Sequence, residues 1–283
     1  MDLLPGITAL EDELGDVLEK ALRRAGLSAE EVAGDSGVEA AKIRDAIDYR
    51  SEFTGEELRR LASVLKLNEV GLCALGAGLY PLPSLGGLPF SVWPLRMAHG
   101  IGVANAYLVG EGESADGLLF DTGAGIGALE AVWPPSVAAV AAVFLTHGET
   151  EHAGGLCEVV ARFGYPPAYI PSGARTRCGV AADEGEVFRF GALEVTVFST
   201  PGHASAHNCY LVRGCAARSG RSLLISGDLV FAGSAGGGYF CHRQMQTHLR
   251  RVLDGLPPST VIAPGHGPMT TVENELRYNP FLV

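Results

Sequence analysis

The chain has 283 residues, 47% of them hydrophobic, and a formal net charge of −11. That length exceeds a single small domain, and the apolar share is enough to bury a sizeable core. The acidic balance, −7 in the first 80 residues and −4 in the rest, weighs against a phosphate-backbone partner. No apolar run reaches the roughly 18 residues of a membrane span. Residues 1–10 lack a basic region leading into a long apolar stretch, so the chain reads as soluble and cytoplasmic, with no membrane partner. Leu10, Leu14, Val17, Leu18, Ala21 and Leu22 recur at three- and four-residue spacing, which predicts a helix with one apolar face, ended by Gly26. Ser28 with Glu31 makes a capping-box pattern that opens a second helix. Residues 34–37 interrupt it, and 38–47 read as a third. Thr54 with Glu57 repeats the capping box and opens a fourth through Leu58, Leu61, Ala62 and Leu65.

Residues 1–75 are therefore expected as a small all-α unit, and 76–89 as a Gly/Pro-rich joint. From 90 to 283 the pattern changes to short strands. Residues 103–109 and 118–121 read as a pair, followed by 137–145, 193–198, 209–212, 223–225 and 261–262, with helices over 155–163 and 245–253. This alternation predicts an α/β fold in four αββα layers. The six cysteines show no C-x-x-C spacing and are expected as reduced, mostly buried thiols, with Cys209 and Cys241 near the motifs below.

The stretch from Gly26 to Ala33, followed by Ser36, Gly37, Val38 and Ile43, resembles a phage-repressor-type helix-turn-helix unit. The resemblance implies a DNA-reading helix over 38–48. That helix offers only Lys42 and Arg44 against Glu39, Asp45 and Asp48, whereas base and phosphate contacts call for basic or amide side chains. DNA binding is thus doubtful, and a dimerisation or lid role, with the chain as a homodimer, fits better.

The chemistry is concentrated in Thr146-His147-Gly148-Glu149-Thr150-Glu151-His152, just past an apolar strand end. Four potential ligands on one loop can serve two metal ions about 3.5–4 Å apart. Three more candidates follow strands on Gly-bearing turns: His203 in Thr-Pro-Gly-His, Asp228 in Ser-Gly-Asp, and His266 in Pro-Gly-His-Gly. Strand ends that share one sheet edge converge on a common site. Asp228, with two carboxylate oxygens, suits a bridge.

Together with Asn105-Ala106-Tyr107, Asp121-Thr122-Gly123, the run from Gly227 to Ser234, and Pro264 to Thr271 continuing to Glu275 and Asn279, these motifs resemble the metallo-β-lactamase superfamily, especially its glyoxalase II-like (hydroxyacylglutathione hydrolase-like) branch. The resemblance implies that His147, Glu149 and His203 hold a first metal, that Glu151, His152 and His266 hold a second, and that Asp228 bridges them. The usual loop of that family is H-x-H-x-D-H; here Glu149 replaces a His and Glu151 an Asp. An oxygen ligand in place of imidazole favours Fe, with Zn or Mn as alternatives, and the glutamate form resembles that of di-iron members. The family's Arg after Gly-Ser-x-Gly is replaced by Gly236-Gly237-Gly238, so the pocket wall differs.

The resemblance implies hydrolysis of a small-molecule thioester, ester or lactone, with water activated by the two metals attacking the carbonyl and with Glu151 and Asp228 as catalytic groups. A di-iron centre that reacts with or senses O2 or NO is the alternative, and a regulator without turnover is the third. Asp121 is expected to orient a ligand His. His207 is a candidate for lining the pocket or for a structural role; His99 and His242 are lesser candidates, for the site mouth and for substrate contact, against a structural role for each.

Overall fold

Strand residues alternate sharply between two different apolar environments, and that alternation builds the fold. The computed structural model describes residues 9–111, 116–215 and 220–283, so the expectation for the first eight residues lies outside the described chain. Among the described residues five helices come first: α1 (Leu14–Ala25), α2 (Ala29–Ser36), α3 (Ala40–Ile47), α4 (Gly55–Leu65) and α5 (Glu69–Gly76). Then follow β1 (Ser91–His99), β2 (Gly102–Gly110), β3 (Asp116–Phe120), α6 (Ile126–Ala131), β4 (Ala139–Phe144), α7 (Thr150–Ala153), α8 (Leu156–Arg162), β5 (Ala168–Pro171), β6 (Val180–Ala182) and β7 (Val187–Phe190). The chain ends with β8 (Leu193–Ser199), β9 (Asn208–Gly214), β10 (Leu223–Gly227), α9 (His242–Asp254), β11 (Val261–Pro264), β12 (Thr270–Thr271) and α10 (Val272–Tyr278).

Among the described residues two six-stranded sheets result, in the orders β1-β2-β3-β4-β5-β6 and β12-β11-β10-β9-β8-β7. Tyr107, Phe120 and Phe144 from the first sheet meet Val195, Tyr210, Ile225 and Val261 from the second in the central layer. Their sequence neighbours point outward. Leu108, Leu119 and Val143 pack under Leu129, Leu156 and Val159 of the helices on the first sheet. Leu211, Leu224 and Ile262 pack under Leu249 and Val252 of α9 on the other. A side-chain period of two with both faces buried gives the near-continuous apolar runs of these strands. The αββα arrangement expected from the sequence is present.

Both capping boxes form: Ser28 accepts from the Glu31 amide at 3.2 Å, and Thr54 from that of Glu57 at 3.3 Å. The helical module shares one continuous core with α9, α10 and the outer face of the second sheet, through Val17, Leu72, Phe281 and Leu282. The two cations of the 38–48 stretch are both ion-paired, Lys42 with Glu57 and Arg44 with Glu30. Among the described residues, no helix is long and apolar enough to cross a membrane.

One expectation needs correction. The thiols are not all reduced or mostly buried. Cys157, at the start of α8, is disulfide-bonded to Cys178 with 5.7 Å between their Cα atoms; only Cys209 of the free cysteines is buried, and Cys215 is exposed. The pair of strands over 103–109 and 118–121 is real, but β1 lies on its other side, pairing with β2 from Ser91↔Gly110 to His99↔Gly102. β1 is an edge strand containing an exposed proline, Pro94, which hides it from a strand pattern.

Candidate metal centre

Four loops leave the strands at one end of the sandwich. The loop after β4 carries His147 to His152. The turns after β8, β10 and β11 carry His203, Asp228 and His266. Backbone bonds between the sheets hold these loops together, from Asn208 N to Thr146 O at 2.8 Å and from Asn105 N to Gly265 O at 2.7 Å. The buried hydroxyls of Tyr210 and Tyr107 add bonds to Leu145 O (2.5 Å) and Pro264 O (2.8 Å).

Ligand atoms of His147, Glu149 and His203 lie within 4.8 Å of one another, as do those of His147, His152 and Asp228. His203 Nε2 is 3.1 Å from Glu149 Oε1. His152 Nε2 and His266 Nε2 stand 3.3 Å apart. Asp228 sits between the groups, with Oδ1 3.6 Å from His152 Nε2 and Oδ2 3.6 Å from both His203 Nε2 and His266 Nε2. The carboxylate of Glu151 turns toward the mouth, 3.7 Å from His99 Nε2, outside both converging sets.

Each of the four imidazoles has its Nδ1 held on the outer side. His152 Nδ1 lies 3.1 Å from Asp121 Oδ2, His203 Nδ1 2.9 Å from Gly237 O, and His266 Nδ1 2.9 Å from Val103 O. His147 Nδ1 lies 3.0 Å from Thr146 Oγ1, whose own hydroxyl donates to Asp121 Oδ2. Acceptors on the Nδ1 side place the proton there and leave an Nε2 lone pair facing inward. His147 Nε2, His203 Nε2 and Asp228 Oδ1 are buried with no hydrogen-bond partner. Orphaned buried acceptors are costly, and bound cations satisfy them. The donor set of imidazole and carboxylate suits zinc, iron or manganese.

The electrostatics point the same way. Burial alone pushes the His152 imidazole down, but its Asp121 hydrogen bond and the carboxylates of Asp228 and Glu151 outweigh that and raise it to about 9. His203 is likewise raised, burial being outweighed by Glu149 and Asp228. Burial pushes the Asp228 carboxyl up, yet the surrounding imidazoles, led by His152, hold it well below the usual carboxylate range. The neighbouring His147 and His203 imidazoles, the latter 3.1 Å from Oε1, hold Glu149 below that range too. Protons are drawn to the places where a cation would neutralise the carboxylates.

His207 is fully buried beside this cluster but has no free nitrogen. Its Nε2 accepts from Asp228 N at 3.2 Å, and its Nδ1 lies 2.7 Å from Thr200 Oγ1. Burial and the adjacent imidazoles push it well below the ordinary value for a histidine, so it stays neutral and holds the Asp228 backbone. His242 lies against Gly238 and lines a small cavity with Lys20 and Met245; His248 lies farther along α9. Thr146 and Val103, which fix two imidazoles, were not singled out from the sequence. A threonine immediately before the first histidine is the one local signal for Thr146.

A two-sheet α/β sandwich with a histidine-carboxylate cluster at one edge defines an αββα fold with a candidate metal centre. The chain belongs to the metallo-beta-lactamase superfamily, whose family model matches residues 99–266. That superfamily consists mostly of hydrolases and binds two metal ions, zinc or iron. An uncharacterised protein of Aquifex aeolicus (strain VF5) is 30% identical over 202 residues, covering 62% of this chain and 90% of that protein. A hydroxyacylglutathione hydrolase of Enterobacter sp. (strain 638) is 29% identical over 137 residues, 47% of this chain and 49% of the relative, so the match spans about half of that enzyme. Among solved structures, TTHA1623 in a di-iron-bound form is 28% identical, with a TM-score of 0.53 over 67% of this chain and 100% of that one. ETHE1 from Myxococcus xanthus, 23% identical with a TM-score of 0.54 over 66% of this chain and 83% of its own, shares the fold.

Proposed function

We propose that this chain is a dinuclear-metal hydrolase acting on a thioester, ester or lactone carbonyl. The observation that carries the reading is the set of four imidazoles with Nδ1 tied outward and Nε2 turned in on Asp228. His147, Glu149 and His203 would hold one ion, and His152 and His266 the other, with Asp228 shared and Glu151 the remaining candidate at the second. Such a pair supplies water of lowered pKa and polarisation of the carbonyl. Asp228 orients the attacking water, its Oδ1 having no hydrogen-bond partner within the protein. Glu151, beside His99 at the mouth, accepts the proton that the water loses and returns it to the thiolate or alkoxide that leaves as the acyl C–S or C–O bond breaks. The exposed ring of Tyr239, 5.4 Å from that of His203, gives an apolar surface for the acyl group.

A second reading is favoured by one residue. Glu149 puts a carboxylate oxygen where the family pattern has imidazole, which makes that position harder and better suited to iron. The likeness to a protein solved in a di-iron-bound form supports iron. Redox chemistry with O2 or NO at such a centre is the alternative to hydrolysis. Metal-loaded protein assayed against a thioester, a p-nitrophenyl ester and a lactone, with its visible spectrum recorded, separates the two. Turnover of one of these substrates, abolished by Asp228→Ala, is expected. Iron bands that change on exposure to O2 or NO, with no turnover across the panel, would overturn the hydrolase.

A further inference from the structure

The helical module reaches the metal centre through the residues that enter its first helix. Glu11 and Asp12, consecutive in sequence, touch two different ligand-bearing loops. Glu11 Oε1 is 3.7 Å from His266 Nδ1. A Cβ at Gly267 would stand 3.0 Å from Glu11 N, so the two backbones pack closely there. The Asp12 carboxylate, almost fully buried, is ion-paired with Lys20 of α1 and accepts a hydrogen bond from Ser234 Oγ. Lys20 Nζ also donates to Ala235 O at 2.9 Å.

Ser234 and Ala235 begin the glycine loop that shapes the centre. The next residue, Gly236, lies so close to Asp228 that a Cβ would come within 2.0 Å of its carbonyl oxygen. Gly237 O is the acceptor that fixes the His203 imidazole. The loop is held from its other side by Glu275, which accepts from Gly233 N at 3.1 Å, and by Asn279, whose amide donates to Ser234 O at 2.7 Å.

We propose that Asp12 and Lys20 are positioning residues for the metal centre, clamping the 234–237 loop so that docking of the helical module and metal binding are thermodynamically linked. By linkage, whatever loosens α1 from this loop lowers metal affinity, and bound metal tightens the module by the same factor. This rests on the metal-centre reading but not on the reaction catalysed.

The test uses the full chain with Co(II) as the probe, reading its dissociation constant by chelator competition and its visible spectrum. Asp12→Asn and Lys20→Met should each weaken cobalt binding about tenfold or more and shift the cobalt bands, as loss of groups that orient metal ligands does. Ser234→Ala removes the same bond from the loop side and serves if Asp12→Asn does not fold. Leu61→Ala, in the core of the module, should lower the melting temperature and weaken cobalt binding far less than the Asp12 and Lys20 variants, with an unshifted spectrum. Wild-type cobalt affinity and spectrum in the Asp12 and Lys20 variants would overturn the proposal, as would an equal loss in Leu61→Ala. A wild-type chain that binds no cobalt overturns the metal centre itself. Cobalt binding without hydrolysis removes only the hydrolase.

Discussion

Asp121→Asn isolates the hydrogen bonds that set two ligand tautomers. Asp121 adopts φ +60°, a left-handed conformation that asparagine tolerates, so the substitution adds little backbone strain. One carboxylate oxygen accepts from Thr146 N at 2.7 Å; the other accepts from Thr146 Oγ1 at 2.8 Å and faces His152 Nδ1 at 3.1 Å. An asparagine that keeps its carbonyl on the Thr146 amide presents an NH2 group to the other two. That group donates to His152 Nδ1 and drives the imidazole proton to Nε2, the side facing the metal. It also donates to the Thr146 hydroxyl, which then donates to His147 Nδ1 and reverses the second imidazole. The expected cost is ~10–100-fold in metal affinity, or about 1.4–2.8 kcal/mol. The metal-free fold loses roughly 1–3 kcal/mol from replacing charged acceptors by neutral ones. Chelator competition measures the first and denaturant unfolding the second. An Asp121→Asn protein with wild-type metal affinity would refute the tautomer argument.

Gly236→Ala places a methyl against Asp228 O, so the loop must shift; a loss of about 1–3 kcal/mol in unfolding free energy and weaker metal binding are expected, read by denaturant melts and metal analysis. In metal-free protein, His152 is raised from the ordinary histidine value to about 9. A raised histidine stabilises fully below the unfolded value and loses that contribution as pH rises through the folded one. The metal-free melting temperature should therefore fall between about pH 6.5 and 9, while metal uptake near pH 7 should release protons, seen by calorimetry in buffers of different ionisation enthalpy. Reducing the Cys157–Cys178 disulfide, which closes a 21-residue separation, should cost about 3 kcal/mol by chain entropy, measured as a lower unfolding midpoint that Cys157→Ser reproduces without reductant.

His147, Glu149, His152, His203, Asp228 and His266 were legible in the sequence because each stands on a turn directly after an apolar strand, and strand ends at one edge converge. The two capping boxes were legible because their partners are three residues apart. What binds the module to the centre was not. Asp12 meets Ser234, and Lys20 meets Ala235, across more than 200 residues of chain, with no local pattern to mark either pairing. The disulfide is hidden for the same reason, since it joins the start of α8 to a loop beyond β5. The direction of Glu151 is settled by side-chain packing near His99, which spacing along a loop does not encode.

The proposed dinuclear centre holds two metal ions between His147, Glu149, His152, His203, Asp228 and His266. Metal content per chain, measured by elemental analysis after reconstitution and desalting, tests it most directly. Two ions per wild-type chain, with Asp228→Ala reduced to one or fewer, is the predicted result. A wild-type chain that retains one ion or none would leave no dinuclear centre.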